Sequence, residues 1–420
     1  MSLKDALLAK GQSGLKPTHI AHDASAPKLG PQFAESEAGM KDYQTKVMDI
    51  NLEEWVHLIP EHTFQTEMME LTQEDAQVLI ASYVELEKHM DTASMQGRNA
   101  QLEAAQSFEP SEEIKKRTSD LEKRIQRVID QVQAGDKTAS VFVKTSCRSP
   151  KDAPTSQAKL LSVYETLVAQ DEDKSENARL AHLLRAGLEV MRVREAKEAM
   201  ALLTRSRRIW QDMTLAVENS ERWNQHIIVR AWQDMDVDME FRCFVRNGSL
   251  VAISQYNSLC YFPRVVQQQR DLKATLTSFF YTHLRHRLAP KFSDYVVDLA
   301  VVGSGEAEAV KVIELNPFLD STDAACFSWV SDRALLEGAH VQASACTCAA
   351  QAGACACAGR GCEMRVTEAA MAGARAALED TWRATLEAAP LSAPSPAPSL
   401  HTAPQLPPAR ARAGGRGGLA

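Results

Sequence analysis

A carboxylate and a side-chain amide lie two residues apart in the strand-like stretch 311–318, at Glu314 and Asn316. Because alternate residues of a strand point to the same face, both side chains should project together. Their oxygens suit Mg²⁺, which prefers hard oxygen ligands. Pro317 ends the strand beside them. The stretch therefore predicts a magnesium site, or alternatively a polar strand face that is simply solvated.

A second carboxylate, Asp298, interrupts the otherwise apolar strand predicted over 295–302. An isolated buried carboxylate is costly, so this one needs a cation or several hydrogen-bond donors. A loop at Gly303-Ser304-Gly305 would return the chain as a hairpin and bring Asp298 beside Glu314. Three oxygen ligands would then converge. A single structural salt bridge is the alternative.

Basic residues follow the apolar strand predicted over 140–144, which ends at Lys144. Arg148 and Lys151 come within the next seven positions. A lysine here can act as a point charge on a phosphate, although basic residues in loops are also commonly just solvated. Neither GxxxxGK[ST] nor GxGxxG occurs, which disfavours a P-loop or Rossmann mechanism.

A β-hairpin is predicted over 240–253, because Asn247-Gly248 is a strong signal for a tight turn with positive φ. Strand alternation places Glu240 and Arg242 on one face. The planar fork of Arg242 could meet a phosphate. A surface ion pair between Glu240 and Arg242 is the alternative.

A second apolar strand, Ile227-Ile228, runs into Val229-Arg230-Ala231-Trp232. This segment could form a hinge that holds an adenine, with backbone groups recognising the edge of the base. Ordinary strand packing accounts for the same residues.

The remaining pattern predicts a mixed α/β (α+β) fold, in which helices alternate with strands and hairpins. The clearest helix spans 111–134, with Ser111 as N-cap, acidic residues in the first turn and Gly135 at the end. Helices dominate 156–216. Strands dominate 226–262 and 294–318.

Three regions are predicted along the chain. Residues 1–45 form a flexible lead, 46–332 a folded domain with its core at about 140–332, and 333–420 a low-complexity tail rich in Ala, Cys, Pro and Arg. Such tail composition cannot offset the entropy of ordering, so disorder is expected there, apart from a helix at 364–388. The tail cysteines could form a loose metal-binding cluster: Cys346, Cys348, Cys355, Cys357 and Cys362.

Bulk composition is that of a globular protein, with 45% hydrophobic and 24% charged residues. A net charge of −8 argues against a protein that mainly covers nucleic acid or an anionic membrane, because either role favours a basic surface. We expect a cytoplasmic protein, because neither a signal peptide nor a long apolar run is present. We also expect a monomer.

Taken in order, several stretches resemble the cell division cycle protein 123 family, an ATP-grasp group. Members of that family look like chaperones that assemble eukaryotic translation initiation factor 2. A weaker match to the family, EEWVHLIPEHTFQTEMMELT, lies nearer the N-terminus. The matching stretches are SVFVKTSCRSPKDA, IIVRAW, EFRCFVRNGSLVAISQYN, DYVVDLAV and VIELNPFLDSTDAACFSW.

By that resemblance the fold is ATP-grasp-like, with mixed sheets and helices, and the ligands are ATP and Mg²⁺. Glu stands at position 314, where many members carry Asp. The implied magnesium ligands are Asp298, Glu314 and Asn316. The implied nucleotide-binding residues are Lys144, Lys151, Arg230, Ala231, Trp232, Glu240 and Arg242.

The resemblance implies a factor that acts on the γ subunit of translation initiation factor 2. The chain departs from the family by lacking an acidic run in its N-terminal third, by an expanded segment at 165–205, and by low-complexity sequence where the C-terminal stretch grips the γ subunit. No catalytic residue is assigned. Two rival hypotheses are an ATP-grasp carboxylate–amine ligase, whose acceptor pocket the sequence does not identify, and an interaction module without nucleotide.

Overall fold

The computed structural model describes residues 37–94, 98–153, 158–218, 220–303, 308–340, 361–378, 382 and 386. All the elements below belong to one compact unit within residues 1–390. Of the predicted loop Gly303-Ser304-Gly305, only Gly303 is among the described residues. Of the five cysteines predicted as a cluster, only Cys362 is among them. The predicted lead is described only from residue 37, where a helix begins.

Eight strands form two sheets. In chain order their bounds are β1 Thr66–Glu70, β2 Val141–Thr145, β3 His226–Ala231, β4 Glu240–Arg246, β5 Ser249–Gln255, β6 Tyr295–Val302, β7 Ala309–Pro317 and β8 Glu363–Arg365.

Twelve α-helices surround these sheets in the described part of the chain. Their bounds are α1 Glu37–Met48, α2 Leu52–Trp55, α3 Gln73–Ser94, α4 Arg98–Ser107, α5 Glu112–Gln133, α6 Ala158–Gln170, α7 Glu176–Val190, α8 Ala196–Leu203, α9 Arg207–Glu218, α10 Pro263–Phe279, α11 Arg285–Leu288 and α12 Arg333–Leu336. One π-helical turn, Phe280–Leu284, joins α10 to α11. Short 3₁₀ turns lie at Val56–Leu58, Pro60–His62, Ser220–Arg222 and Ala374–Ala377.

The predicted helix at 111–134 is confirmed by α5. The Ser111 side chain accepts a hydrogen bond from the Ile114 amide at 3.4 Å, which satisfies one of the free donors at the helix start. The helix ends where Ala134 takes a left-handed conformation with φ +48°, followed by Gly135 with φ +93°. Its buried stripe packs into the main core, where Leu121, Ile125 and Ile129 contribute side chains that are no more than 1% exposed.

The smaller sheet has the order β1-β3-β2, and both of its strand pairs are antiparallel. The larger sheet has the order β7-β6-β4-β5-β8, antiparallel except for the β5–β8 pair. The mixed α/β class is therefore confirmed. The Asn247-Gly248 hairpin is confirmed too, since φ is +49° at Asn247 and +65° at Gly248 between β4 and β5.

Strand β8 corrects the expectation for the tail. Residues 363–365 pair with β5 rather than starting a helix, and Cys362, Met364 and Val366 are buried. The described residues 361–378 are therefore part of the fold, and the helix predicted at 364–388 is wrong for its first residues. Folded chain thus continues beyond position 332.

Among the described residues, no helix combines the length and the apolar character needed to cross a lipid bilayer.

Candidate functional site

A cavity of about 410 Å³ lies where the two sheets face each other. Thr63, which precedes β1, forms a parallel bridge with Val312 on β7. Residues from β2, β3, β4, β6, β7 and α7 line the cavity. Seven of the ten predicted site residues are among the lining: Lys144, Lys151, Arg230, Ala231, Trp232, Glu240 and Glu314.

Lys144 and Glu314 meet across this cavity. The Lys144 Nζ lies 2.6 Å from the Glu314 Oε1, and the lysine side chain is only 3% exposed. Burial alone would raise the pKa of Glu314, but the ammonium groups of Lys144 and Lys151 outweigh burial and lower that pKa to about 2. The glutamate is therefore ionised, and Lys144 is held facing it.

Asp298 and Arg242 form a buried bidentate pair. Arg242 Nε and Nη2 donate to the two carboxylate oxygens at 2.9 and 2.8 Å, and Asp298 is 1% exposed. Burial tends to lower the pKa of Arg242, but the Asp298 carboxylate raises it well above its usual value. The structural salt bridge considered for Asp298 is thus present, and the alternative pairing of Arg242 with Glu240 is not.

The predicted meeting of the two carboxylate strands is confirmed. Asp298 on β6 stands opposite Glu314 on β7, beside a register shift between Asp298 and Leu299. Asn316 joins them, because its Nδ2 donates to an Asp298 oxygen at 3.0 Å. The predicted set therefore converges as two linked groups, Lys144–Glu314 and Arg242–Asp298–Asn316.

The donor types of this set fit magnesium, since they are carboxylate and amide oxygens. In the described residues, however, no group of three His, Cys, Asp or Glu side chains could hold a metal ion. Asp298 lines neither the cavity nor the small pocket beside it, whereas Glu314 lines both and Asn316 lines the pocket. Glu314 and Asn316 are thus the ligands an ion could reach directly, and the magnesium assignment stays a prediction.

Two backbone amides of the predicted adenine hinge are already paired within the protein. The amides of Ala231 and Trp232 donate to the carbonyls of Gln65 and Ser140 at 2.9 and 3.0 Å, so these two N–H groups do not face a ligand. The next residues, Gln233 to Asp236, line the cavity instead. The adenine hinge itself stays a prediction.

Arg230 ties the two sheets together. Its Nη1 donates to the Ile313 carbonyl and its Nη2 to the Thr63 hydroxyl, each at 2.6 Å, while the guanidinium lies 4.7 Å from the centre of the Phe64 ring. Burial lowers its pKa to about 10. Arg230 lines the cavity, but these contacts make it primarily a structural support.

Glu240 and Lys151 also line the cavity. Lys151 Nζ donates to the Tyr256 hydroxyl at 2.7 Å. Burial raises the pKa of Glu240 to about 7, against the opposing effect of Lys151. This carboxyl group therefore changes its charge near neutral pH.

Several lining residues were not predicted from the sequence. Arg185, Leu188 and Glu189 face the cavity from α7. Their spacing of three and four residues, which places side chains on one helix face, was the available signal. Phe64, Phe142 and Met191 add an apolar lining that no sequence pattern indicated.

A family model and several curated relatives match part of this chain. The D123 family model matches residues 181–356. A curated relative from Xenopus laevis, "Translation initiation factor eIF2 assembly protein", is 29% identical over 103 residues, which are 24% of this chain and 29% of the relative. "Cell division cycle protein 123" from Phaeosphaeria nodorum is 29% identical over 113 residues, which are 27% of this chain and 28% of the relative.

The matched segment spans less than a third of these relatives. A solved structure, C-terminally truncated Cdc123 from Schizosaccharomyces pombe, aligns with 68% of this chain and 90% of its own at a TM-score of 0.44 and 16% identity. The family resemblance predicted from the sequence is confirmed at residues 181–356, which match the D123 family model.

Proposed function

We propose that the cavity binds ATP together with Mg²⁺. Its volume of about 410 Å³ falls within the roughly 300–1,000 Å³ typical of small-molecule sites. Phe142 and Met191 offer apolar surface for a base, while Lys144 and Lys151 offer positive charge for phosphates. The observation that carries the proposal is this combination of apolar and cationic walls in one cavity between two sheets.

Phosphate oxygens would compete with Glu314 for Lys144. In the structure the ammonium donates to a carboxylate that lines the same cavity, so a phosphate could accept from Lys144 with little movement. Glu314, released from the lysine, and Asn316 would then hold the magnesium ion, which supplies charge neutralisation for the phosphates. Asp298, which accepts hydrogen bonds from Arg242 and Asn316, would hold these two side chains in place.

Nucleotide binding is tested by titrating the purified chain with ATP and Mg²⁺ in a calorimeter. Lys144→Ala, alone and with Asp298→Asn, is expected to weaken ATP at least about tenfold, because charge-assisted hydrogen bonds are lost. Lys137→Ala, at a lysine that is 63% exposed, is the matched control. Undiminished binding in the double variant, with its fold intact, would contradict the site.

The client is proposed from the names of the relatives. Two of them are named as an eIF2 assembly protein and as cell division cycle protein 123. We propose that this chain assists assembly of translation initiation factor 2 in the cytoplasm, acting on its γ subunit. Nucleotide would order the two sheets around the cavity, and the ordered surface would hold the client.

A pull-down from a eukaryotic extract, with and without ATP, tests the client. Recovery of the γ subunit in an ATP-dependent manner is expected, and Lys144→Ala should reduce it while Lys137→Ala should not. Recovery of no initiation-factor subunit would overturn the client and leave the nucleotide proposal in place.

A further inference from the structure

Helix α7 has two sides that meet different parts of the protein. Arg185, Leu188 and Glu189 line the cavity from one side. Successive residues of an α-helix are about 100° apart, so Gly187 lies about 200° around the helix from Arg185, on the opposite side. A contact made at Gly187 therefore reaches the cavity through the helix itself.

Trp382 packs on this opposite side of α7. Its indole Cη2 lies 2.8 Å from the position that a Cβ atom would take at Gly187, and only a residue without a Cβ admits so close an approach. The indole Nε1 is buried, and within the described part of the chain it has no hydrogen-bond partner. Packing therefore holds Trp382 on α7, and its release would break no hydrogen bond of the indole.

Residues near Trp382 in the sequence make two further contacts with α7. The Arg375 amide donates to Glu176 Oε1 at 3.1 Å, and Arg179 Nη2 donates to the Leu386 carbonyl at 2.5 Å. The Leu386 side chain is buried in the main core. We call the described residues 374–378, 382 and 386 the C-terminal strap.

We propose that the C-terminal strap holds α7 against the cavity and that Trp382 is a positioning residue for the ligand bound there. The strap contacts α7 at Glu176, Arg179 and Gly187, and so supports the helix over about 16 Å of its length. Release of the strap would expose apolar surface on the side of α7 that faces away from the cavity. The choice of ATP as the ligand rests on the proposed function, whereas the support of α7 does not.

Two substitutions remove the contact between Trp382 and Gly187 from its two sides. Trp382→Ala deletes the indole. Gly187→Ala adds a methyl group in the space that the indole occupies and should displace it, although alanine itself is the better helix former. Met371→Ala is the matched control, because Met371 lies in the same part of the chain and is 39% exposed.

The test uses the full chain and two measurements. Amide hydrogen exchange follows α7 in the nucleotide-free chain, and calorimetry follows the binding of ATP with Mg²⁺. Trp382→Ala and Gly187→Ala should each speed exchange in α7 at least about tenfold, because local opening becomes easier. Each should also weaken ATP at least about threefold. Met371→Ala should change neither quantity.

The double variant tests whether the two residues act through one contact. With the indole gone, the methyl group at position 187 has nothing to displace. Trp382→Ala with Gly187→Ala should therefore bind ATP no more weakly than Trp382→Ala alone. Losses that add in the double variant would contradict a shared contact.

Unchanged exchange in α7 in Trp382→Ala would overturn the strap. Faster exchange with unchanged ATP affinity would overturn the positioning role, because it would show that Trp382 stabilises α7 without affecting the cavity. If the wild-type chain binds no ATP, the proposed function fails, and exchange in the nucleotide-free chain alone decides whether the strap supports α7. Should Trp382→Ala fail to fold, Gly187→Ala replaces it with the same expected changes.

Discussion

At the scale of single residues, the Arg242–Asp298 pair invites a direct measurement of stability. Both side chains are almost wholly buried, at 5% and 1% exposure. Asp298→Asn would leave the Arg242 charge buried without its carboxylate, which should lower the free energy of unfolding by about 3–5 kcal/mol. Denaturant unfolding measures this loss.

An exposed pair provides the control. Arg222 Nη2 donates to Asp49 at 2.6 Å, and the two side chains are 56% and 54% exposed. Asp49→Asn should therefore cost less than about 1 kcal/mol, because solvent screens exposed ion pairs. Equal losses for the two substitutions would show that the buried pair has no special role in stability.

Glu240 predicts a pH dependence of stability. Its pKa is raised from 4.5 to about 7 by burial, so the folded state holds this proton more tightly than the unfolded state. The contribution of Glu240 to the free energy of unfolding is therefore greatest below pH 4.5. It falls as the pH rises to about 7 and is constant above that. The total fall is of the order of 3 kcal/mol, at about 1.36 kcal/mol per pKa unit.

The corresponding measurement compares Glu240→Gln with the wild type by denaturant unfolding at pH 5, 6, 7 and 8. The variant should gain stability relative to the wild type as the pH rises. Glu368→Gln, at an exposed site, should show no such trend. A difference between Glu240→Gln and wild type that does not vary with pH would contradict the raised pKa.

The sequence predicted which charged residues lie close together but not which of them form ion pairs. Asp298 within an apolar strand indicated the need for a cation, and alternation placed Glu240 and Arg242 on one face. That Arg242 itself supplies the cation depends on the register between β4 and β6, where Arg242 stands opposite Asp298. Pairing between strands more than fifty residues apart is set by the packed sheet, and no local pattern encodes it.

At the scale of elements, the hairpin between β4 and β5 was predictable because its turn chemistry is local. Gly248 has φ +65°, a conformation that costs an L-residue about 1–2 kcal/mol. Gly248→Ala should therefore lower the free energy of unfolding by about 1 kcal/mol. Ser249→Ala at the next position is the control, and equal effects in thermal unfolding would contradict the turn argument.

The hinge at β3 shows why other features of elements escape prediction. A sequence predicts the strand over 226–231 but not which carbonyl groups accept hydrogen bonds from its amides. The Trp232 amide donates to Ser140, nearly one hundred residues earlier, and so cannot serve a ligand. Hydrogen-bond partners of this kind follow from tertiary packing. For the same reason the sequence did not predict that α7 lines the cavity.

At the scale of the whole molecule, the larger sheet is completed by a strand from a region that composition marked as unstructured. Strand β8 has only three residues and runs parallel to β5. Arg365 Nη1 pairs with Asp332 at 2.8 Å, and the Thr367 amide donates to Gln255 at 3.3 Å. A strand this short carries too little periodicity to be recognised, so only the assembled sheet shows it.

The contribution of β8 to stability can be measured with two methionines of the same segment. Met364, 8% exposed, packs in the main core, whereas Met371 is 39% exposed. Met364→Asp would place a charge among apolar side chains and should lower the free energy of unfolding by about 3 kcal/mol or more. Met371→Asp should change it by no more than about 0.5 kcal/mol. Similar small effects for both would mean that the sheet holds without β8 and that the folded domain ends where the sequence placed it, near residue 332.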